Sequence, residues 1–464
     1  MPTRRVTSLL AVTTLDAIFK AYDVRGTYPD QLDESVARAV GAAFAQFAGT
    51  DRIVVARDMR PSGDTLTAAF TEGATAMGAE VIDLGMGSTD FLYFASGHLD
   101  APGAMFTASH NPAQYNGIKL CLSGARPVGV ESGLVEIEAA TAGFLAEPPS
   151  GAPRAATPLA LLEAWADHVR SFVDVDVLAP LKVVADTANG MGGLVAPLVF
   201  GPLPFELEVL YGELDGTFPN HPADPIQPEN LVDLKARVLA TGADVGLAFD
   251  GDADRVFLID EAGEGVSGSL TTALVASAML ARHPGATILH NLICSKVVPE
   301  TVLALGGTPV RTRVGHSYIK QVMAETGAVF GGEHSGHYYY RDNFRADSGI
   351  ITALVVLEMV SSSGVALSEL VAPFRRYADS GEINTEVADP AGTVEKMAVA
   401  VSAAGASVDR LDGLTADYGA WWFNVRPSNT EPLLRLNVEA PDAASLATHT
   451  EAALALISSC DEGS

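Results

Sequence analysis

The feature that most constrains this chain is an alternation of short β-branched runs with longer helical patterns, repeated along much of its length. Asp51-Arg-Ile-Val-Val-Ala-Arg57 predicts a buried strand, Gly63 to Met77 a helix, and Glu80-Val-Ile-Asp-Leu84 a second strand. The unit recurs from Leu181-Lys-Val-Val-Ala-Asp186 to Glu206-Leu-Glu-Val-Leu210. It appears again as Ala286-Thr-Ile-Leu-His290, a Ser295–Leu305 helix with Val298, Val302 and Leu305 on one face, and Pro309–Val314. Such a succession calls for an α/β fold in layers. At roughly 150 residues per domain, 464 residues make about three domains, with four small ones also fitting. Composition breaks at the Pro-rich stretch 145–155, at the turn-rich Asp260–Gly265 and near Pro373–Ser380. They divide the chain into 1–150, 151–260, 261–375 and 376–464, the last a smaller α+β unit.

Hydrophobic residues are 48% of the chain and charged residues 19%, enough for several cores and without a disordered signature. Lys plus Arg number 29 against 57 Asp plus Glu, a net charge of −28. That balance argues against nucleic-acid binding and against attraction to anionic membranes. It permits a small anionic substrate, provided the scarce cations gather at one place. The three cysteines, Cys121, Cys294 and Cys460, lie far apart and suggest neither a disulfide framework nor a zinc knuckle. Arg4-Arg5 superficially resembles a twin-arginine signal, but the apolar core Leu9–Val12 is too short, and no stretch reads as a transmembrane helix. The expectation is a cytoplasmic protein.

Four loops carry candidate chemistry. Thr107-Ala-Ser-His-Asn-Pro-Ala-Gln-Tyr-Asn-Gly-Ile-Lys119 places Ser109 in a turn that can present its hydroxyl, with Lys119 to supply charge; an ordinary Ser/Asn/Pro loop has the same composition. No G-x-S-x-G surrounds Ser109, which speaks against a hydrolase nucleophile elbow. Asp250-Gly-Asp-Ala-Asp-Arg255 follows a strand pattern, and its three carboxylates at i, i+2 and i+4 can converge on a hard cation. An EF-hand fails here: position 6 is Arg255 rather than glycine, and Val256-Phe-Leu-Ile259 predicts a strand, not an exiting helix. A solvated acidic turn is the plainer alternative.

Gly331-Gly-Glu-His-Ser-Gly-His337 can present Glu333, Ser335 and His337 to a hydroxylated ligand, or be a polar loop over a core. His334 and His337 suit zinc poorly, because Gly336 disfavours the helix that would fix them. Arg426-Pro-Ser-Asn-Thr-Glu-Pro-Leu-Leu-Arg435 brackets small hydrogen-bonding side chains with two arginines, a pattern suited to phosphate oxygens or to a plain surface turn. Gly263-Glu-Gly-Val-Ser-Gly268 matches G-x-G-x-x-G, but Glu264 would face a pyrophosphate and no acidic residue follows about 20 positions on to hold a ribose.

Together and in order, these loops and Lys20-Ala-Tyr-Asp-Val-Arg-Gly26 resemble the α-D-phosphohexomutase superfamily, particularly the bacterial phosphomannomutase/phosphoglucomutase group, over nearly the whole chain. The resemblance implies three related mixed α/β domains plus a smaller C-terminal α+β domain around a central cleft. It implies that Ser109 carries a phosphoryl group and that Asp250, Asp252, Asp254 and a phosphoryl oxygen on Ser109 hold Mg²⁺. It places Tyr22, Arg25, Lys119, Arg255, His316 and His337 at the reacting centre, with Lys119, His316 and His337 as candidate proton carriers. Glu333 and Ser335 would grip sugar hydroxyls, and Arg426, Ser428, Asn429, Thr430 and Arg435 the non-reacting phosphate. The expected activity interconverts mannose 6-phosphate and mannose 1-phosphate through a hexose 1,6-bisphosphate, with glucose phosphates as further substrates.

Departures fall at Ala253, where members often carry glycine, at His334, and at Lys296, the nearest substitute for a lysine some relatives carry near Cys294. Asn429 resembles the mannose/glucose mutases rather than the glucosamine ones. The alternatives are a phosphoglucomutase or phosphoglucosamine mutase, a catalytically silent sugar-phosphate-binding protein, and a Mg²⁺-dependent phosphatase. The sequence leaves oligomeric state open.

Overall fold

A computed structural model describes residues 15–428 and 433–461. The chain forms two compact units, one built from residues up to 267 with 315–330 and 335–370, the other from 268–314, 331–334 and 371 onward.

The first unit contains two sheets. Strands β1 (Val24–Thr27), β2 (Arg52–Arg57), β3 (Glu80–Met86), β4 (Gly103–Phe106), β5 (Tyr115–Leu122), β6 (Arg126–Pro127) and β7 (Thr157–Pro158) make the larger one, in the order β1-β5-β4-β2-β3-β7 with β6 on β5. The predicted strand at 51–57 is its parallel centre: β2 pairs with β3 and β4, while β5 runs antiparallel to β4 and to β1. A continuous apolar run suits a strand covered on both faces, and Ile53, Val54, Val55 and Ala56 are all fully buried. The Glu34–Ala48 helix, capped by the Asp33 carboxylate and ended by left-handed Gly49, packs Val40 and Phe44 into the same core as Ile53, Phe70 and Phe106.

The second sheet runs β12-β11-β10-β8-β9, from β8 (Lys182–Asp186), β9 (Glu206–Leu210), β10 (Val245–Phe249), β11 (Val256–Asp260) and β12 (Gly265–Val266). Here β8 lies parallel to β9 and β10, and β11 returns antiparallel to β10. The carboxyl ends of parallel strands, where α/β sheets present their ligand-binding loops, lead in the first sheet to Asp58, Arg60 and Ser109, and in the second to Asp250. The turn-rich stretch at 260–265 is the hairpin between β11 and β12, closed by the Asp260 carboxylate accepting from the Ala262 and Glu264 amides.

In the second unit, β13 (Thr287–Asn291) and β14 (Thr308–Thr312) pair in parallel, as the predicted strand–helix–strand unit requires. Short strands β15 (Phe330–Gly332) and β16 (Tyr338–Tyr340) flank the Glu333–His337 loop in sequence. Residues from 376 on form a sheet ordered β17-β21-β20-β19-β18, from β17 (Ala378–Glu386), β18 (Ser407–Asp409), β19 (Leu414–Asp417), β20 (Trp422–Pro427) and β21 (Leu433–Ala440). Helices Pro390–Ala403 and Ala443–Asp461 cover it, burying Met397 and Ile457 against Phe423 and Leu436. Strands and helices here make an α+β arrangement. Among the described residues no single helix is long and apolar enough to cross a membrane.

Candidate active site

The site in the first unit is built by two loops pressed together. Ser109 sits on the turn between β4 and β5, and Asp250–Arg255 is the turn between β10 and β11. The Ser109 Oγ donates to Asp250 Oδ2 at 2.8 Å, lies 3.2 Å from His110 Nδ1 and accepts from Arg255 Nη2 at 3.4 Å. A Cβ at Gly251 would meet the Ser109 carbonyl oxygen at 2.4 Å, so this close approach requires glycine. Ala253 has φ +58°, the left-handed conformation that explains why glycine suits this position; alanine there costs about 1 kcal/mol.

Asp250, Asp252 and Asp254 are almost completely buried, and each offers an oxygen within 4.8 Å of the others. Lys119, on β5, is 2.9 Å from Asp252 Oδ2 and 2.7 Å from Asp254 Oδ2. Thr89 Oγ1 donates to Asp252 Oδ2 at 2.6 Å, and Arg255 Nε to Asp250 Oδ2 at 2.9 Å. Burial pushes Asp250 well above the usual carboxylate range despite Arg255. Burial also opposes charge on Asp252, but Lys119 and Thr89 outweigh it and draw that carboxyl below its ordinary value. Lys119 likewise resists the cost of burial: the two carboxylates raise it well above a free lysine, so it is an ammonium. Asp252 Oδ1 and Asp254 Oδ1 are buried without a hydrogen bond, so each carboxylate keeps a spare acceptor. An all-oxygen donor set with free buried acceptors fits a hard divalent cation.

The other expected residues of this unit fall around the same loops. Arg25 donates to Asn111 Oδ1 at 2.7 Å, two residues beyond Ser109, and pairs with Asp23. His337 Nε2 lies 3.7 Å from Asp254 Oδ1, its Nδ1 is 3.1 Å from Ser335 Oγ, and its backbone bridges to that of Arg255. The Tyr22 and His316 rings meet edge-on with centroids 5.2 Å apart. Burial and then the Lys320 ammonium hold His316 well below the ordinary histidine value, so its imidazole is neutral. Asp254, His337 and Asp347 also cluster within 4.8 Å, but Lys320 Nζ lies 3.0 Å from Asp347 and neutralises it.

Glu333 belongs to the second unit, where Asn291 Nδ2 donates to its Oε2 at 3.0 Å. The expected sugar loop is therefore divided, Ser335 and His337 lying in the unit of Ser109. Gly268, the last glycine of the nucleotide-like decoy, lies under this loop: a Cβ there would meet the His334 carbonyl oxygen at 2.3 Å. Arg426 and Arg435 are directly opposed across β20 and β21, and Glu382 on β17 pairs with both, at 2.9 and 3.6 Å. The Ser428 amide donates to the Leu433 carbonyl at 2.9 Å. Asn429 and Thr430 lie outside the described residues. Lys296, the candidate substitute lysine, is engaged with Asp417 Oδ1 and the Gly419 carbonyl.

Sequence reasoning missed Asp58, Arg60, Thr89 and His110. His110 touches Ser109, Thr89 touches the acidic triad, and Arg60 underlies the serine loop. Arg60 and Asp58 carried a usable signal: a scarce arginine just beyond the carboxyl end of the central parallel strand.

Comparison with known proteins gives the family. The models of the phosphoglucomutase/phosphomannomutase family match in order: alpha/beta/alpha domain I over residues 16–143, domain II over 163–264, domain III over 267–377 and the C-terminal domain over 382–455. The chain belongs to the phosphoglucomutase/phosphomannomutase family. Within that family it is 42% identical to the "phosphohexose mutases" protein of Xanthomonas campestris pv. campestris, covering 93% of this chain and 97% of that one. It is 39% identical to the phosphomannomutase of Escherichia coli K12, over 91% of this chain and 94% of the relative. The crystal structure of a phosphoglucomutase/phosphomannomutase family protein from Burkholderia thailandensis superposes with a TM-score of 0.87 at 31% identity, covering 97% of this chain and 98% of that one. Family membership thus bears out the four-domain α/β architecture expected from the sequence.

Proposed function

We propose that this chain is a phosphomannomutase, interconverting mannose 6-phosphate and mannose 1-phosphate, with glucose phosphates as further substrates. The observation that carries the reading is Ser109 Oγ, 2.8 Å from Asp250 Oδ2, beside the Asp252–Lys119–Asp254 cluster. A serine hydroxyl in that position is suited to carry a phosphoryl group and pass it on. The phosphoserine O–P bond breaks as a sugar hydroxyl forms a new one; the hydroxyl loses a proton to a base and Ser109 Oγ regains one. The resulting hexose 1,6-bisphosphate, supplied externally as an activator when the serine is bare, returns its other phosphoryl group to Ser109.

Such transfer asks mainly for alignment and for charge at the phosphoryl oxygens. Lys119, held as an ammonium, and Arg255 supply charge from the chain itself. His316, a candidate proton carrier, is held neutral, and its Nδ1 is buried without a hydrogen bond. Asp250, Asp252 and Asp254 would hold Mg²⁺ together with a phosphoryl oxygen on Ser109. When bound, that ion adds positive charge at the transferring group. Arg25 and Tyr22 complete the reacting side, Glu333 and Ser335 take sugar hydroxyls, and Arg426, Ser428, Asn429, Thr430 and Arg435 take the non-reacting phosphate. The unpaired state of all three cysteines is consistent with the cytoplasm as the place of action.

The test compares kcat/KM for mannose 1-phosphate, glucose 1-phosphate and glucosamine 1-phosphate with catalytic bisphosphate present. Mannose 1-phosphate should be turned over best, and mass spectrometry should find Ser109 phosphorylated. Preference for glucosamine 1-phosphate, or phosphate release outpacing isomer formation, would overturn the reading. Arg426→Ala removes a charged phosphate contact, a bond type worth about 1.5–3 kcal/mol. It should raise KM by about 10-fold or more with kcat little changed; an unchanged KM would argue against its role.

A further inference from the structure

We propose that Arg60 is the positioning residue that fixes Ser109 for phosphoryl transfer. The proposal rests on the reading of Ser109 as the phosphoryl carrier. Arg60 touches neither the serine hydroxyl nor the acidic triad by a hydrogen bond, yet its guanidinium uses all five of its donors on the loop between β4 and β5 and on one carboxylate. Nη2 donates to the carbonyls of Ser109 at 2.9 Å and Asn111 at 2.6 Å. Nη1 donates to the carbonyls of Pro112 and Tyr115, both at 2.9 Å. Nε completes the set on Asp58 Oδ2 at 3.1 Å, while the Asp58 Oδ1 accepts the Arg60 amide at 2.9 Å. The ion pair is fully buried, and the Phe218 ring covers the guanidinium with its centroid 5.2 Å from Cζ.

Two features of the serine loop show what this clamp holds. Ser109 has φ +49°, a left-handed conformation that a residue with a Cβ keeps only when its surroundings enforce it. The carbonyl of Ser109 that Arg60 grips is also the one against which Gly251 packs, so Arg60 fixes the serine at its contact with the acidic turn. Four carbonyls converge on one side chain, and only a planar, always-charged fork with five donors satisfies them together with Asp58. A lysine keeps the charge but offers three donors from a single atom, so at least two of the five bonds are lost. The loop then relaxes, Oγ leaves the line of transfer, and water gains access to the phosphoserine. A displacement of about 1 Å at a reacting centre is enough for a rate loss of about 100-fold.

The test uses the full chain and its Arg60→Lys variant, both incubated with glucose 1,6-bisphosphate and assayed with mannose 1-phosphate. Four quantities are read: Ser109 phosphorylation by mass spectrometry, kcat, KM, and inorganic phosphate released per isomer formed. Both proteins should be phosphorylated. In the variant kcat should fall by about 100-fold while KM stays within about threefold, and phosphate release per turnover should rise. A preserved kcat, or a raised KM with kcat intact, would overturn the proposal. So would a loss that merely follows the unfolded fraction measured by thermal denaturation, including a variant that does not fold, because Arg60 would then serve the fold alone. A wild-type chain that never acquires phosphate on Ser109 would instead refute the reading of the serine, and this proposal with it.

Discussion

Ser109→Ala is expected to lose about four orders of magnitude or more in kcat while melting close to the wild-type temperature. The two halves of that expectation have separate causes. With Ser109 as the proposed covalent carrier, catalysis falls because no other hydroxyl replaces it, and groups that act as a unit fail together when one is removed. Stability is retained because alanine keeps the Cβ, so the left-handed backbone at this position is no more strained than before. The Ser109 carbonyl still accepts from Arg60, and Asp250 Oδ2 keeps its bond from Arg255 Nε. The lost side-chain bond is worth about 1 kcal/mol. Turnover assays and thermal denaturation of the same preparation check both halves, and near-normal turnover would remove Ser109 from the mechanism.

Lys119→Met should damage both activity and stability. Its ammonium stands between two carboxylates at 2.9 and 2.7 Å, in a site where Asp252 and Asp254 are at most 1% exposed. Taking one partner from a buried ion pair leaves charge without compensation, a loss of about 3–5 kcal/mol. On the proposed function, the same change removes a cation from the transferring phosphoryl group, for which a fall in kcat of about 10³-fold is expected. The signature that separates this from ordinary loss of packing is its response to Mg²⁺. A divalent ion at the triad restores the missing positive charge, so added Mg²⁺ should raise the melting temperature of the variant more than that of the wild type. Equal shifts in the two proteins would mean that Lys119 and the cation do not answer to the same carboxylates.

Most of the architecture was legible because it depends on local patterning. The all-apolar run Ile53–Ala56 marked a strand covered on both faces, and Val256–Ile259 marked the strand that rules out a calcium loop; both are strands in the structure. The loops bearing Ser109 and Asp250 were legible for a related reason, since short polar turns after buried strands concentrate chemistry. What escaped was whatever depends on approach between distant segments. The place of Arg60 after a parallel strand could have marked it for the site, but not that it serves carbonyls some fifty positions away. Thr89 reaches Asp252 across 163 positions, and only the folded sheets bring the two together. The loop at 331–337 looked like one binding element, yet its residues are divided between the two units, a partition that a seven-residue motif does not encode.

The two opposed arginines of the C-terminal sheet carry a consequence for selectivity. Like charges directly across an antiparallel pair repel, and Glu382 relieves that repulsion by pairing with both guanidiniums. An anion held by both arginines therefore competes with a resident carboxylate rather than entering a bare field of charge. A monoanion gains little from such an exchange. A phosphate monoester, with about 1.5 to 2 negative charges at neutral pH and three acceptor oxygens, gains enough to displace it. If the two arginines take the non-reacting phosphate as proposed, Glu382 sets an entry threshold that favours a phosphate monoester over a monoanion.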